Sequence, residues 1–401
     1  MTQHLTEQYI EEAEKYGAHN YHPLPVVISR GEGVWVWDIE GRKYLDMLSA
    51  YSALNQGHRH NKIVNALKEQ LDKVTLTSRA FHNEVMGKFF KKFCSITGMD
   101  RVLPMNTGGE AVETAIKAAR KWGYVKKHIE PDRADIIVVE NNFHGRTTAI
   151  VGFSTEKQYR EGFGPFAPGF TVIPYNNPEA LEKAINKNTA GFLFEPIQGE
   201  GGVLIPDEGY LKKTFEICKK HNVLYIADEI QTGFGRTGKL FCCEHEGVKP
   251  DILIVGKALG GGLYPVSAIL ARNDIMEVFT PGDHGSTFGG NPLACAVAIA
   301  SLEVIIEEDL PGKSFEMGNY FVKRLRDINS PHVREIRGKG LMIGIEIKKE
   351  SGIARPFCEA LKEEGILAKE THHQVIRLAP PLVITKEEID WAMERIEKIL
   401  K

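Results

Sequence analysis

Asp228 and Lys257 stand where two consecutive apolar runs end, and that placement suits chemistry. The run Val223–Ala227 leads into Asp228, Glu229, Ile230 and Gln231, and the run Ile252–Val255 leads into Gly256 and Lys257. A carboxylate at the carboxyl end of a buried strand fits a fixed cationic partner such as a protonated pyridine nitrogen. A lysine on the same rim loses hydration, which lowers its pKa and makes the amine nucleophilic. Singly, Asp228 would as readily cap the next turn, and most lysines are surface residues. Their occurrence on neighbouring strand ends favours one shared site.

Asn106, Thr107, Gly108, Gly109 and Glu110 open a pattern with Ala111, Ala115, Ala118 and Ala119. Small residues and free N–H groups at a helix start cradle a phosphate, and the helix dipole adds to the attraction. This is neither a Walker A loop nor G-x-G-x-x-G. A hydroxyl-bearing loop, His284–Gly290, contributes Ser286 and Thr287 as further phosphate donors. After the run Ile136–Val139 come Phe143, suited to stacking on a flat ring, and Arg146, suited to a substrate carboxylate. The histidines show no H-E-x-x-H or comparable spacing, and the six cysteines include no C-x-x-C pair, so no metal site is expected.

The elements that must position these residues follow from hydrophobic patterning. Between about Asn61 and Ile306, helical patterns alternate with short apolar runs: Ile136–Val139, Thr171–Ile173, Phe192–Phe194, Val223–Ala227, Ile252–Val255 and Ala268–Leu270. Strands apolar on both faces predict an α/β fold with a mostly parallel sheet covered by helices. Ligands then gather at the strands' carboxyl ends. Val34–Trp37 and Lys43–Leu45 predict a hairpin. Beyond Gly312 come a helix, strands at Val333–Arg337 and Met342–Ile347, a helix near Ala354–Glu364, strands around Ile366–Lys369 and Val375–Leu378, and a last helix opened by Thr385 and Glu388 in capping-box spacing. At 401 residues, two domains are expected. Residues 56–306 form the large one, and residues 1–55 with 307–401 form a smaller α+β domain.

With 26% charged residues and a net charge of -3, the chain offers neither nucleic acid nor an anionic membrane an electrostatic attraction. The stretch Met1–Gly17 lacks the basic start and apolar core of a targeting peptide, while Leu5, Tyr9, Ala13 and Tyr16 recur at roughly helical spacing. Pro292–Ile306 is too short to span a bilayer and reads as a buried helix. Reduced cysteines and a cytoplasmic location are expected.

Six motifs in order resemble the class III aminotransferases of fold type I: Asn106–Ala111, Phe143–Thr147, Glu195–Glu200, Asp228–Gly233, Gly256–Leu259 and Gly285–Pro292. The resemblance extends from Asn20–Pro25 to Arg377–Leu382. It implies pyridoxal 5'-phosphate as cofactor and a large domain built on a seven-stranded sheet. Lys257 would form the Schiff base and shuttle the proton, Asp228 would pair with the pyridine nitrogen, Gln231 would reach the phenolic oxygen, and Phe143 would stack on the ring. Gly108, Gly109 and Ser286, with Thr287 from the neighbouring subunit of a homodimer, would hold the phosphate. For substrates, Arg377 is the carboxylate site near the cofactor, and Arg146 with Tyr21 the far one. Glu200 would mask Arg377 while an ω-amine donor is bound. Tyr21 and Tyr51 match members that transfer the δ-amine of L-ornithine to 2-oxoglutarate. Acetylornithine or another ω-amino acid is the alternative substrate, and a non-catalytic phosphate binder is the remote one.

Overall fold

The protein is described by a computed structural model over residues 3–401, with side chains from residue 5 onward. Its central sheet has seven strands, in the order Arg101–Met105, Ser267–Ala271, Ile252–Val255, Leu224–Asp228, Thr189–Phe194, Asp135–Val139, Phe170–Ile173. All pairings are parallel except the two made by Ser267–Ala271, which runs against both neighbours. Reversing one strand between two others leaves Arg101–Met105 pointing with the rest. Six carboxyl ends therefore share one rim.

Residue alternation divides the sheet between two covering layers. Ile136, Val138, Leu193, Ile226 and Ile254 pack with Ala111, Ala115, Ala118 and Trp122 of the helix Gly108–Val125. Ile137, Val139, Phe192, Phe194 and Tyr225 face the opposite way, onto Tyr210, Leu211 and Cys218 of the helix Tyr210–Lys220. Both faces are dry, which explains why these runs are apolar throughout and show no alternation. Pro292–Glu307 is the expected buried helix, packed with Leu253, Val255, Ala268 and Leu270. Among the described residues no helix is long and apolar enough to cross a membrane.

One strand of the seven lies outside the predicted set. Arg101–Met105 carries an arginine and Pro104, so it lacks an unbroken apolar run. As an edge strand it pairs on one side only, where a missing N–H is tolerated.

The predicted hairpin forms as Trp35–Asp38 against Lys43–Asp46, with Val36 opposite Tyr44. Segments from the N-terminal and C-terminal parts of the chain meet there, since Ile366 and Leu367 pair in parallel with Leu45 and Asp46. The strand expected around Ile366–Lys369 is divided between two sheets. Ile366–Leu367 joins the hairpin sheet, while Lys369–Thr371 joins Val375–Leu378, Met342–Ile347 and Val333–Lys339. The final helix, Lys386–Leu400, starts in the predicted capping box, with Thr385 and Glu388 each bonded to the other's backbone N–H. The N-terminal helix spans Gln3–Tyr16, and its apolar Leu5, Tyr9 and Tyr16 are exposed.

Candidate active site

The sheet's register brings the two key residues together. Asp228 lies opposite Ile254, and the Glu229 N–H donates to the Ile254 carbonyl, so the next residues of each strand emerge side by side. One cavity at this rim is lined by Gly108, Gly109, Phe143, Glu200, Asp228, Gln231 and Lys257, together with His144, Gly145, Glu195, Ile197, Ile230 and Thr232. Seven residues expected from sequence thus converge from five separate strand ends.

Lys257 adopts a left-handed backbone with φ +45°. For a side chain with a Cβ this costs roughly 1–2 kcal/mol and persists where the surroundings dictate it. Burial brings its ammonium down to about 8, against the opposing pull of the Glu200 carboxylate. A substantial fraction of the amine is therefore neutral near physiological pH, as a nucleophile or base requires.

Asp228 is 4% exposed and its carboxylate bonds His144 Nδ1 at 2.7 Å and the Ile230 N–H at 3.1 Å. His144 itself is buried, and its Nε2 has no partner. The Glu195 carboxylate accepts the Phe143 N–H at 2.8 Å, fixing the aromatic in place. Burial, reinforced by the Asp228 charge, pushes the Glu195 carboxyl well above the usual range.

Arg377, 1% exposed, donates through Nη1 to Glu200 Oε1 at 2.6 Å. Burial works against charge on Glu200, but Arg377 and Lys257 outweigh it and hold the carboxyl below the ordinary value. The Tyr51 ring lies 4.7 Å from the Arg377 guanidinium. Gln231 Nε2 points toward Glu200 at 3.4 Å and the Tyr51 carbonyl at 3.5 Å.

At the phosphate end, Thr107 and Glu110 form a capping box at the start of the helix Gly108–Val125. The amides of Gly108 and Gly109 have no intrahelical acceptor at that position. A Cβ on Gly108 would meet the Ile230 side chain at 3.1 Å, and one on Gly109 would meet Thr147 at 3.3 Å. Glycine at both positions thus lets the helix start pack closely against these side chains.

Not every expected residue reaches the cavity within one chain. The Ser286 hydroxyl accepts from Asn106 Nδ2 at 2.9 Å and from the Gly289 N–H at 3.0 Å, next to the phosphate loop but outside the lining. Thr287 is exposed. Arg146 is exposed and lies 3.8 Å over the Tyr159 ring. Tyr21, 77% exposed, lines a different cavity together with Tyr51. Among the described residues no group of histidines, cysteines and carboxylates could hold a metal.

The residues fit a phosphorylated, cationic heterocycle. A buried carboxylate, a desolvated lysine and a helix start surround one cavity. Gln231 Oε1 is buried there without a partner. Gly199 lets Gln231 lie so close that a Cβ would sit 1.4 Å from that oxygen.

Comparison with known proteins agrees. The family model described as "Aminotransferase class-III" matches residues 16–400. An ornithine aminotransferase of Geobacillus sp. (strain WCH70) is 62% identical over 394 residues, covering 98% of each chain. One from Brevibacillus brevis is 60% identical at 98% coverage of each. Among solved structures, the ornithine aminotransferase of Toxoplasma gondii ME49 superposes with TM-score 0.97 at 47% identity, covering 98% of this chain and 94% of that one. The acetylornithine aminotransferase of Elizabethkingia anophelis gives 0.90 at 54% identity, with 98% of both covered. With the family model spanning nearly all of it, the chain belongs to the class III aminotransferases, enzymes that use pyridoxal phosphate.

Proposed function

We propose that the enzyme transfers the δ-amino group of L-ornithine to 2-oxoglutarate. The products are glutamate and glutamate 5-semialdehyde, which cyclises to pyrroline-5-carboxylate. The observation that carries this reading is the 2.6 Å pair between Glu200 and Arg377 beside Lys257. Relatives from Geobacillus and Brevibacillus with the ornithine name support it.

Pyridoxal phosphate, when bound, supplies an aldehyde to take up the amino group and an electron-withdrawing ring to stabilise charge on the neighbouring carbon. Asp228 would pair with its ring nitrogen, Gln231 with its phenolic oxygen, and Phe143 would pack against its ring. Gly108, Gly109 and Ser286, with Thr287 of the partner subunit, would take its phosphate. Lys257 would carry the covalent link to its aldehyde. Once displaced, Lys257 Nζ is free to take a proton from the amine-bearing carbon and return it elsewhere.

The two substrates differ in where their α-carboxylate lies. Ornithine presents its δ-amine to the cofactor, so its carboxylate is distant, and Arg146 with Tyr21 would receive it. With Arg377 already occupied by Glu200, ornithine gains nothing by entering α-amine first. 2-Oxoglutarate carries its α-carboxylate next to the reacting carbon, so Glu200 must swing aside to release Arg377. A charge-assisted bond of this kind is strong enough to set orientation.

A homodimer completed by Thr287, a cytoplasmic location and domain limits at residues 55 and 306 belong to the same proposal. The test is a single turnover of the cofactor-loaded enzyme. Ornithine should convert it to the aminated form with release of pyrroline-5-carboxylate. If N-acetylornithine reacts and ornithine does not, the substrate is acetylornithine, as the Elizabethkingia relative is named.

A further inference from the structure

We infer that Arg236 is a positioning residue that determines where substrate carboxylates are held, although it touches neither substrate nor cofactor. The inference rests on the role given above to Arg377, beside which the Tyr51 ring lies. Arg236 is 0% exposed and forms no salt bridge among the described residues. Its Nη1 donates to the carbonyls of Leu341 at 2.9 Å and Pro380 at 2.6 Å. Its Nη2 donates to Asn55 Oδ1 at 2.7 Å and Ser49 Oγ at 3.2 Å. Burial lowers the guanidinium to about 9, against the opposing pull of the Asp46 carboxylate. An apolar side chain would fill this space with no charge to desolvate. What it could not supply is a rigid fork reaching three separate stretches of chain at once.

Two of those stretches carry Tyr51 and Arg377. Ser49, Ala50, Tyr51 and Ser52 all have positive φ, at 47°, 47°, 62° and 72°. Residues with a Cβ visit this region singly, so four in succession need outside support. Asp46 holds one side, accepting the N–H groups of Leu48 and Ser49 at 2.9 and 2.8 Å and bonding His58 Nε2 at 2.8 Å. Arg236 holds the other through Ser49 and Asn55. Ser49 passes the connection on, donating to the Ala379 carbonyl at 2.6 Å. Ala379 and Pro380 directly follow the strand that presents Arg377. Arg236 thus grips the turn bearing Tyr51 and the segment behind Arg377, from the loop that begins at Asp228. Cutting the fork lets the strained turn relax and the Tyr51–Arg377 contact drift from Lys257.

The test uses the holoenzyme with Arg236→Lys, which keeps the charge and loses the fork, and with Ser49→Ala, which removes one arm. Three rates are compared with wild type: reaction with ornithine, reaction of the aminated form with 2-oxoglutarate, and capture of the cofactor aldehyde by O-methylhydroxylamine. The last probes the Lys257 centre and needs no carboxylate contact. In Arg236→Lys both carboxylate substrates should lose tenfold or more in rate over dissociation constant, with aldehyde capture within about threefold of wild type. Ser49→Ala should show the same pattern to a smaller extent, and it decides the matter if Arg236→Lys does not fold. Equal losses in all three rates would mean a merely structural arginine and overturn the inference, as would no loss in any. Should wild type ignore ornithine, the substrate reading fails alone, and the clamp is still tested on 2-oxoglutarate.

Discussion

Replacing Glu200 with glutamine should scramble which amine of ornithine reacts. In the native site the Glu200–Arg377 pair is 2.6 Å long, with the arginine side chain 2% and the glutamate 24% exposed, so little water screens it. Glutamine keeps the shape and one acceptor but removes the charge. A hydrogen bond to a charged group contributes roughly 1.5–3 kcal/mol. At 1.36 kcal/mol per tenfold, losing that preference raises α-amine over δ-amine reaction roughly 10- to 150-fold. The assay is a single turnover with ornithine, separating pyrroline-5-carboxylate, the δ product, from pyrroline-2-carboxylate, the α product. Since Glu200 also supports the ammonium form of Lys257, its removal should lower the lysine further. That change acts on both amines alike and cancels in the ratio. An α-to-δ ratio within twofold of wild type, with ornithine still reacting, would refute the masking role.

Further perturbations test other parts of the site. With Lys257 near 8, combination of the apoenzyme with pyridoxal phosphate should accelerate about tenfold per pH unit below that value and level off above it, followed by absorbance. His144→Phe removes the 2.7 Å partner of a buried carboxylate; a urea titration of the apoprotein should show a loss of about 1–3 kcal/mol. Gly199→Ala puts a Cβ where Gln231 Oε1 lies, so cofactor affinity should fall at least tenfold by equilibrium dialysis, about 1.4 kcal/mol. Thr287→Ala should weaken cofactor retention, and dilution that dissociates the wild-type dimer, followed by sedimentation, should weaken it likewise.

Where the sequence speaks, it does so through burial. Runs such as Ile252–Val255 are apolar because both sheet faces are covered, and that covering makes their ends a rim for ligands. Asp228, Lys257 and the Gly108–Gly109 helix start were legible for this reason. Arg101–Met105 was not, because an edge strand need not be apolar throughout. Glu195 stood in view at the end of Phe192–Phe194, yet only the fold shows it clasping the Phe143 amide. The bond from His144 to Asp228 joins residues 84 apart, and no spacing rule reports it. Arg236 is the hardest case: within a glycine-rich loop it resembles a surface charge, and its burial depends on segments nearly 200 residues before and about 100–150 after it.

The whole mechanism requires a covalent bond between the cofactor aldehyde and one amine. Borohydride reduction of the holoenzyme followed by peptide mass analysis measures it directly. The predicted result is a pyridoxyl-phosphate adduct confined to Lys257 and absent from Lys257→Ala. An adduct on another lysine, or a holoenzyme that reduces without labelling this one, would contradict it.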